Sequence, residues 1–320
     1  MPRAGLMAVV GGGLGAMAWL SAAMGVPAGL FLAYFAPLPM LLVGLAAGSQ
    51  MAAIAAAVGI GVSAAFGGLS AAETFGGVHA LPAWLVVHQA LMRRRTAGSA
   101  AGGTAGGTAG DWLPIGITLT SLAAIAAFAV FMAGSLASGD DGIEASVRTL
   151  LSNFVEVAPD LGQAPDMAIM LPLVPVFLGL MAMAWQVMIV INAVLAQSLI
   201  ARRGWNRRPT PRWSAIQLPD FLSWLLVGCA ALALATSGDI AYLAQNAVIA
   251  LAAPYFFAGL GAIHTFARRS GARAGVLLVF YVLLVVLFLV VAAMVIVLGI
   301  LDQWLGWRRD EGANDGSEKE

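Results

Sequence analysis

The chain has 320 residues, of which 61% are hydrophobic and only 10% are charged, and its 16 basic and 16 acidic side chains give a formal net charge of zero. Soluble domains carry roughly 25% charged residues, so this composition excludes an ordinary soluble protein. The balanced charge argues against nucleic acid as a partner, and the single cysteine excludes an intramolecular disulfide and a cysteine-rich metal site.

Apolar segments recur along the chain at lengths that match the hydrocarbon core of a bilayer, which about 20 helical residues cross. The fourth segment is short and the last is long, so we expect eight to ten spans. The expected fold class is an all-α, polytopic transmembrane bundle in contact with the lipid bilayer. The apolar segments cover residues 4–24, 27–47, 51–68, 78–91, 113–137, 169–200, 219–237, 241–266 and 276–302.

The second segment contains Pro37 and Pro39 near its centre, with Tyr34 beside them. Two prolines remove two backbone donors and disfavour helical backbone at the residues before them, which predicts a break in the helix. Breaks at membrane depth are tolerated where protein or a cavity satisfies the freed carbonyls, and they often mark transport sites. Tyr34, Pro37 and Pro39 are therefore candidate substrate-binding residues, with a simple proline kink as the alternative.

Side-chain amides interrupt the sixth and eighth segments. Gln186 and Asn192 lie in the sixth, and Gln245 and Asn246 precede Pro254 in the eighth. Amides in a bilayer can hydrogen-bond between helices without any further role, each bond contributing about 0.6–2 kcal/mol. They are also the groups that line a polar cavity, so these four complete the set of candidate substrate-binding residues.

The loop over residues 138–168 carries five apolar residues at helical spacing, which predicts an amphipathic surface helix. Such a helix either covers the end of the bundle or acts as a lid over a cavity. Its apolar positions are Ile143, Val147, Leu150, Leu151 and Phe154.

Two further segments differ in composition from the spans. Residues 96–110 consist of glycine, alanine, threonine and serine, which predicts a flexible linker. Residues 308–320 form a charged tail that we expect to be disordered and on the cytoplasmic side. Residues 1–307 are then expected to form a single transmembrane domain.

Arginine supplies 15 of the 16 basic residues, and twelve arginines fall on one side of the membrane if the spans alternate. The acidic 138–168 loop falls on the other side. Because positive charge is retained on the cytoplasmic side, we expect a multi-pass protein of the bacterial inner membrane with a cytoplasmic amino terminus. Four of these arginines either fix this topology or bind a protein partner: Arg202, Arg203, Arg207 and Arg208.

The sequence contains no set of residues at the spacing expected of a catalytic or metal site. Its three histidines are far apart, and no nucleophile, carboxylate pair or metal-ligand spacing accompanies them. No charged residue lies in the middle of a confident span, which weakens ion-driven transport. We therefore expect no enzyme activity, no cofactor and no metal.

Several motifs occur in a characteristic order. They are residues 31–39 (FLAYFAPLP) with Gly44-Leu45, residues 81–84 (LPAW), residues 111–114 (DWLP), and residues 299–304 (GILDQW) with Arg308-Arg309. In this order they resemble the YybS-like predicted membrane proteins, domain of unknown function 2232. The bundle of that family is similar to the substrate-capture subunits of energy-coupling-factor transporters.

The resemblance implies a membrane protein that binds a small solute as one component of an importer. Its partners would be a transmembrane coupling subunit and ATPases. The alternative is a membrane scaffold or assembly factor that binds protein partners through its arginine-rich cytoplasmic loops and needs no cavity.

Overall fold

The computed structural model describes residues 2–93, 112–137, 139, 141–157, 167–213 and 216–306. The predicted linker and charged tail lie outside these residues. The described α-helices are α1 Pro2–Ala23, α2 Gly29–Tyr34, α3 Pro37–Ala47, α4 Ser49–Phe75, α5 Leu81–Ala90, α6 Ile115–Ala137, α7 Ile143–Val157, α8 Met167–Met170, α9 Phe177–Arg202, α10 Asp220–Ala235, α11 Gly238–Arg269, α12 Arg273–Val286 and α13 Phe288–Leu305. A π-helix, Gly76–Ala80, links α4 to α5, and a 3₁₀-helix, Leu171–Val176, links α8 to α9.

Seven helical stretches among the described residues are long and apolar enough to cross a membrane, and α10 and α12 are shorter apolar helices. Large apolar side chains remain on the outside of this structure. Leu30, Leu234 and Val285, for example, are 84%, 89% and 79% exposed. Such a surface is compatible with lipid and not with water. The predicted all-α, polytopic membrane bundle is therefore confirmed.

The third and fourth predicted spans belong to one stretch, Ser49–Ala90, that is interrupted at Gly68. Gly68 has φ +77° and ψ −174°, a conformation open to glycine because it has no Cβ. Phe75 packs against Gly59, so the chain after Gly68 folds back along the chain before it. The reversal lies about ten residues before the start predicted for the fourth span, which therefore begins earlier than its hydropathy indicated.

The last predicted span is divided into α12 and α13. Leu287, between them, has φ −116° and ψ 43°, which is not helical. None of the residues of α12 is buried. The long last segment is therefore interrupted, and only α13 of the pair is long enough to count among the seven stretches.

The chain forms two compact units. The first comprises Met1–Thr118 and Val187–Pro211, and the second comprises Leu119–Gln186 and Arg212–Glu320. Each contains apolar helices of membrane-spanning length. The assignment of residues 1–307 to one transmembrane domain stays a prediction.

Small residues bring helices into close contact within each unit. In the first unit, a Cβ on Gly12 of α1 would collide with the carbonyl oxygen of Ala55 in α4. In the second unit, a Cβ on Gly259 of α11 would collide with the carbonyl oxygen of Val295 in α13, and one on Gly299 with that of Tyr255. Because lipid supplies no hydrophobic drive between helices, such close van der Waals contact is a main source of their association.

The predicted amphipathic helix is present as α7. Its residues Ile143, Val147 and Leu151 are buried and pack with Val174 and Tyr242 of the second unit. The helix therefore covers other elements of that unit, as expected for a helix at the end of a bundle.

The other side of α7 faces outward. Leu150 is 63% exposed, and the side chain of Phe154 lies outside the described residues.

The backbone N–H of Ile143 donates to Asp239 Oδ1 at 2.8 Å, which fixes the start of α7 to the start of α11. A carboxylate at this position also interacts favourably with the positive end of the helix dipole.

Neighbouring glycines in α1 provide a test of this packing. Gly12→Ala should lower the free energy of unfolding by about 1–3 kcal/mol because the new methyl group meets the α4 backbone. Gly13→Ala is the matched control, since a Cβ there meets nothing within 4 Å. The measurement is thermal unfolding in detergent, and equal melting temperatures for the two variants would contradict the close contact.

Candidate functional site

The second span is bent where the prolines predict it. α2 ends at Tyr34 and α3 begins at Pro37. Pro37 and Pro39 have no N–H to give to Ala33 and Phe35, and those carbonyl oxygens instead accept from Ala36 N at 3.1 Å and from Leu38 N at 3.0 Å. These two bonds span three residues instead of four, as in a 3₁₀-helix. The N–H of Leu38 is thereby used and does not reach the carbonyl of Tyr34.

Asn192 of α9 supplies the missing donor. Its Nδ2 donates to Tyr34 O at 2.9 Å and also to Met188 O at 2.8 Å. Asn192 is fully buried, and its Oδ1 has no hydrogen-bond partner among the described residues. The bend in the second span therefore lies beside a buried amide oxygen that can accept further hydrogen bonds.

Gln186 has an equivalent role in the second unit. Pro254 lacks the N–H that would bond to the carbonyl of Ala250 in a regular helix. Gln186 Nε2 donates to that Ala250 oxygen at 2.9 Å, and to Ala182 O at 3.3 Å. This amide side chain therefore replaces the donor that the proline removes.

Asn246 joins α11 to the start of α9. Its Oδ1 accepts from Gly179 N at 2.7 Å, and its Nδ2 donates to Pro175 O at 2.9 Å and to Tyr242 O at 2.8 Å. Pro175 O and Gly179 N would be bonded to each other in a continuous α-helix. The side chain therefore bridges this pair where the 3₁₀-helix becomes α9, and both of its polar atoms are engaged.

The seven candidate substrate-binding residues belong to different units. Tyr34, Pro37, Pro39 and Asn192 are in the first unit, whereas Gln186, Gln245 and Asn246 are in the second. Gln245 is exposed, unlike its neighbour Asn246. Within the first unit the structure brings Asn192 and Tyr34 together. That any of the seven contacts a substrate stays a prediction.

The loop after α9 is attached to two helix ends of the first unit. Arg207 Nε donates to Ala46 O near the end of α3, and Arg208 Nη1 donates to Ala90 O at the end of α5, each at 3.0 Å. The last carbonyls of a helix lack intrahelical donors and carry partial negative charge, which guanidinium groups satisfy. The carboxyl ends of α3, α5 and α9 thus meet the same loop, as alternating spans require.

The arginines of this loop are not equivalent. Arg208 is partly buried, and that burial lowers the pKa of its guanidinium. Its guanidinium lies 5.9 Å from the ring centre of Trp112, and that of Arg93 lies 5.0 Å from the same ring. Arg202 and Arg203, by contrast, are exposed, which leaves them accessible to a partner.

One buried residue of the first unit was absent from the sequence-based candidates. His79 is 2% exposed, and neither of its ring nitrogens has a hydrogen-bond partner among the described residues. Its sequence position suggested the edge of a span, because the apolar run predicted for the fourth span begins only at residue 78. The GlyGly pair before Val78 is the one local indication of irregular helix.

A metal centre receives no support from side-chain geometry. Within the described part of the chain, no three histidine, cysteine, aspartate or glutamate side chains lie close enough together to hold a metal ion. The expectation that the protein uses no metal stays a prediction.

A protein-family model described as a predicted membrane protein (DUF2232) matches residues 16–303. The chain belongs to this family. The match includes the proline-containing second span, the 81–84 motif and residues 299–303 of the last motif, which are segments on which the resemblance was based. No curated protein and no solved structure matches this DUF2232 protein.

The two kinds of arginine in the loop after α9 make a matched pair of variants. Arg207→Gln with Arg208→Gln should lower the free energy of unfolding by roughly 2 kcal/mol, because two helix ends lose a charged donor. Arg202→Gln with Arg203→Gln should lower it by less than about 1 kcal/mol, because the side chain of Arg202 interacts only with the end of its own helix and that of Arg203 bonds to no helix end among the described residues. Chemical denaturation in detergent measures both, and a larger loss for the second variant would contradict the assignment.

Proposed function

We propose that this DUF2232 protein binds a small solute within the membrane, as one component of an importer. The observation that carries the proposal is the bend of the second span beside Asn192, whose buried Oδ1 has no partner among the described residues. Leaving a buried acceptor without a donor costs about 1–3 kcal/mol. A bound ligand that donated a hydrogen bond to this oxygen would remove that cost.

The remaining parts of the proposal assume that the family is similar to the substrate-capture subunits of energy-coupling-factor transporters, as its motifs led us to expect. A transmembrane coupling subunit and ATPases would supply the energy, and the protein itself would carry out no catalysis. Under the same proposal it resides in the bacterial inner membrane with its amino terminus and arginine-rich loops in the cytoplasm. The contacts of Arg207 and Arg208 support placing the carboxyl ends of α3, α5 and α9 on one face of the first unit.

The second span and Asn192 give a direct test. The protein is purified in mild detergent, and retained small molecules and co-purifying proteins are identified by mass spectrometry. We expect a stoichiometric solute in the wild type and at least about a tenfold loss of it in Asn192→Leu and in Pro37→Ala with Pro39→Ala, since each variant alters the acceptor or the bend that holds it.

Thr149→Val is the control for that experiment, because this side chain is exposed on α7 of the other unit and is not among the candidate substrate-binding residues. It should retain the solute at the wild-type level. Circular dichroism and gel filtration establish that each variant is folded. Full retention by the folded double proline variant would contradict the proposal.

A membrane scaffold or assembly factor is the second candidate function. The exposure of Arg202 and Arg203 favours it, because neither side chain bonds to the end of another helix among the described residues. If partners bind this loop, Arg202→Gln with Arg203→Gln should remove the co-purified proteins without changing solute retention. If the co-purified proteins are unchanged in this double arginine variant, the result opposes the scaffold function.

A further inference from the structure

Trp19, Phe75 and His79 form an aromatic cluster in the first unit. The His79 ring centre lies 5.2 Å from that of Trp19 and 5.7 Å from that of Phe75. Trp19 belongs to α1, Phe75 is the last residue of α4, and His79 lies in the π-helix that follows. A π-helical turn is rare and is frequently found at functional sites.

The polar atoms of this cluster are buried and unsatisfied. Both ring nitrogens of His79 and Nε1 of Trp19 are inaccessible to solvent and have no hydrogen-bond partner among the described residues. Leaving such an atom without a partner is destabilising, so a histidine used only for packing would normally be bonded to a neighbouring backbone group.

The cluster adjoins the bend of the second span. A Cβ on Gly15 of α1 would lie 2.7 Å from the carbonyl oxygen of Ala36, at the bend, and 3.6 Å from Cζ of Phe75. Trp19 follows Gly15 by one helical turn on the same face of α1. The aromatic cluster and the bend therefore lie along one side of this helix.

We propose that the Trp19–His79 cluster binds a small uncharged solute that carries a hydrogen-bond donor beside an acceptor, such as an amide or an azole. This inference rests on the proposed function and assigns it a site. A neutral imidazole offers one donor and one acceptor, and the indole N–H offers a second donor. Because the two imidazole nitrogens point away from each other, a small ligand reaches only one of them. A ligand that bonds to both rings therefore needs an acceptor for the indole N–H and a donor or an acceptor for that one nitrogen.

The surroundings of the cluster favour an uncharged ligand. Gly15, Met40 and Gly59 lie around Phe75, and none of them carries charge. An ion at this depth would lose its hydration and gain no counter-charge in return, which disfavours its binding. Aromatic faces and a few fixed polar atoms are the usual lining of a site for a small organic molecule.

Acetamide and acetate distinguish the two ligand classes, because they have nearly the same shape and differ in charge. The protein, labelled with ¹⁵N-histidine and dialysed exhaustively in lipid nanodiscs, contains three histidines, so His79→Phe assigns the His79 signals. We expect acetamide to shift the His79 ring nitrogens saturably and acetate to leave them unchanged. Trp19→Phe should raise the half-saturating acetamide concentration about fivefold to tenfold, because one hydrogen bond is lost.

His264→Phe is the control, since His264 lies in the other unit and its Nδ1 is already 3.1 Å from Leu260 O. It should leave the response of His79 to acetamide intact. A response to acetate equal to that to acetamide, or no response to acetamide, would overturn the proposal. In the second case, a retained solute that is still lost in Asn192→Leu would leave the proposed function standing and remove only this assignment of its site.

Discussion

Hydrogen bonding of backbone carbonyls that have no donor within their own helix is the constraint on which the rest of this structure depends. Lipid offers no hydrogen bonds, so each such carbonyl must find a donor within the protein. Asn192 donates to the carbonyl of Tyr34 at the bend of the second span, and Gln186 donates to the carbonyl of Ala250, which Pro254 leaves without a donor. Asn246 bridges the start of α9 in the same way. In each unit, amides that are distant in sequence therefore supply donors that the backbone lacks.

This constraint determines which residues are available for a ligand. Both polar atoms of Asn246 are hydrogen-bonded, and Gln186 donates to two carbonyls. These two amide groups therefore hold helices of the second unit together. Asn192 satisfies one carbonyl and keeps a buried oxygen without a partner among the described residues. Together with His79 and Trp19 it gives the first unit several polar atoms that its own described helices do not satisfy. The case for solute binding therefore rests on the first unit.

Hydropathy and proline position predicted much of this architecture. The apolar runs gave the all-α membrane bundle, the spacing of Ile143, Val147 and Leu151 gave α7, and Pro37 with Pro39 located the bend. These are local properties, because burial periodicity and a missing N–H depend on adjacent residues only.

The partners of the polar side chains could not be predicted. Asn192 and Tyr34 are 158 residues apart, and no local pattern shows that one donates to the other. Likewise, two arginines of the loop after α9 contact the ends of other helices and two do not, although all four look alike in sequence. His79 was missed because the chain reverses at Gly68 and the returning helix begins about ten residues before the start predicted for the fourth span, which places this histidine inside the unit.

A double-mutant cycle between Gln186 and Pro254 tests the central claim most directly. Pro254→Ala restores a backbone N–H for the carbonyl of Ala250, so Gln186→Leu should then cost much less than the roughly 1 kcal/mol expected with Pro254 present. The free energy of unfolding in detergent is measured for the four proteins. An equal cost of Gln186→Leu in both backgrounds would show that the amide does not replace the donor that the proline removes.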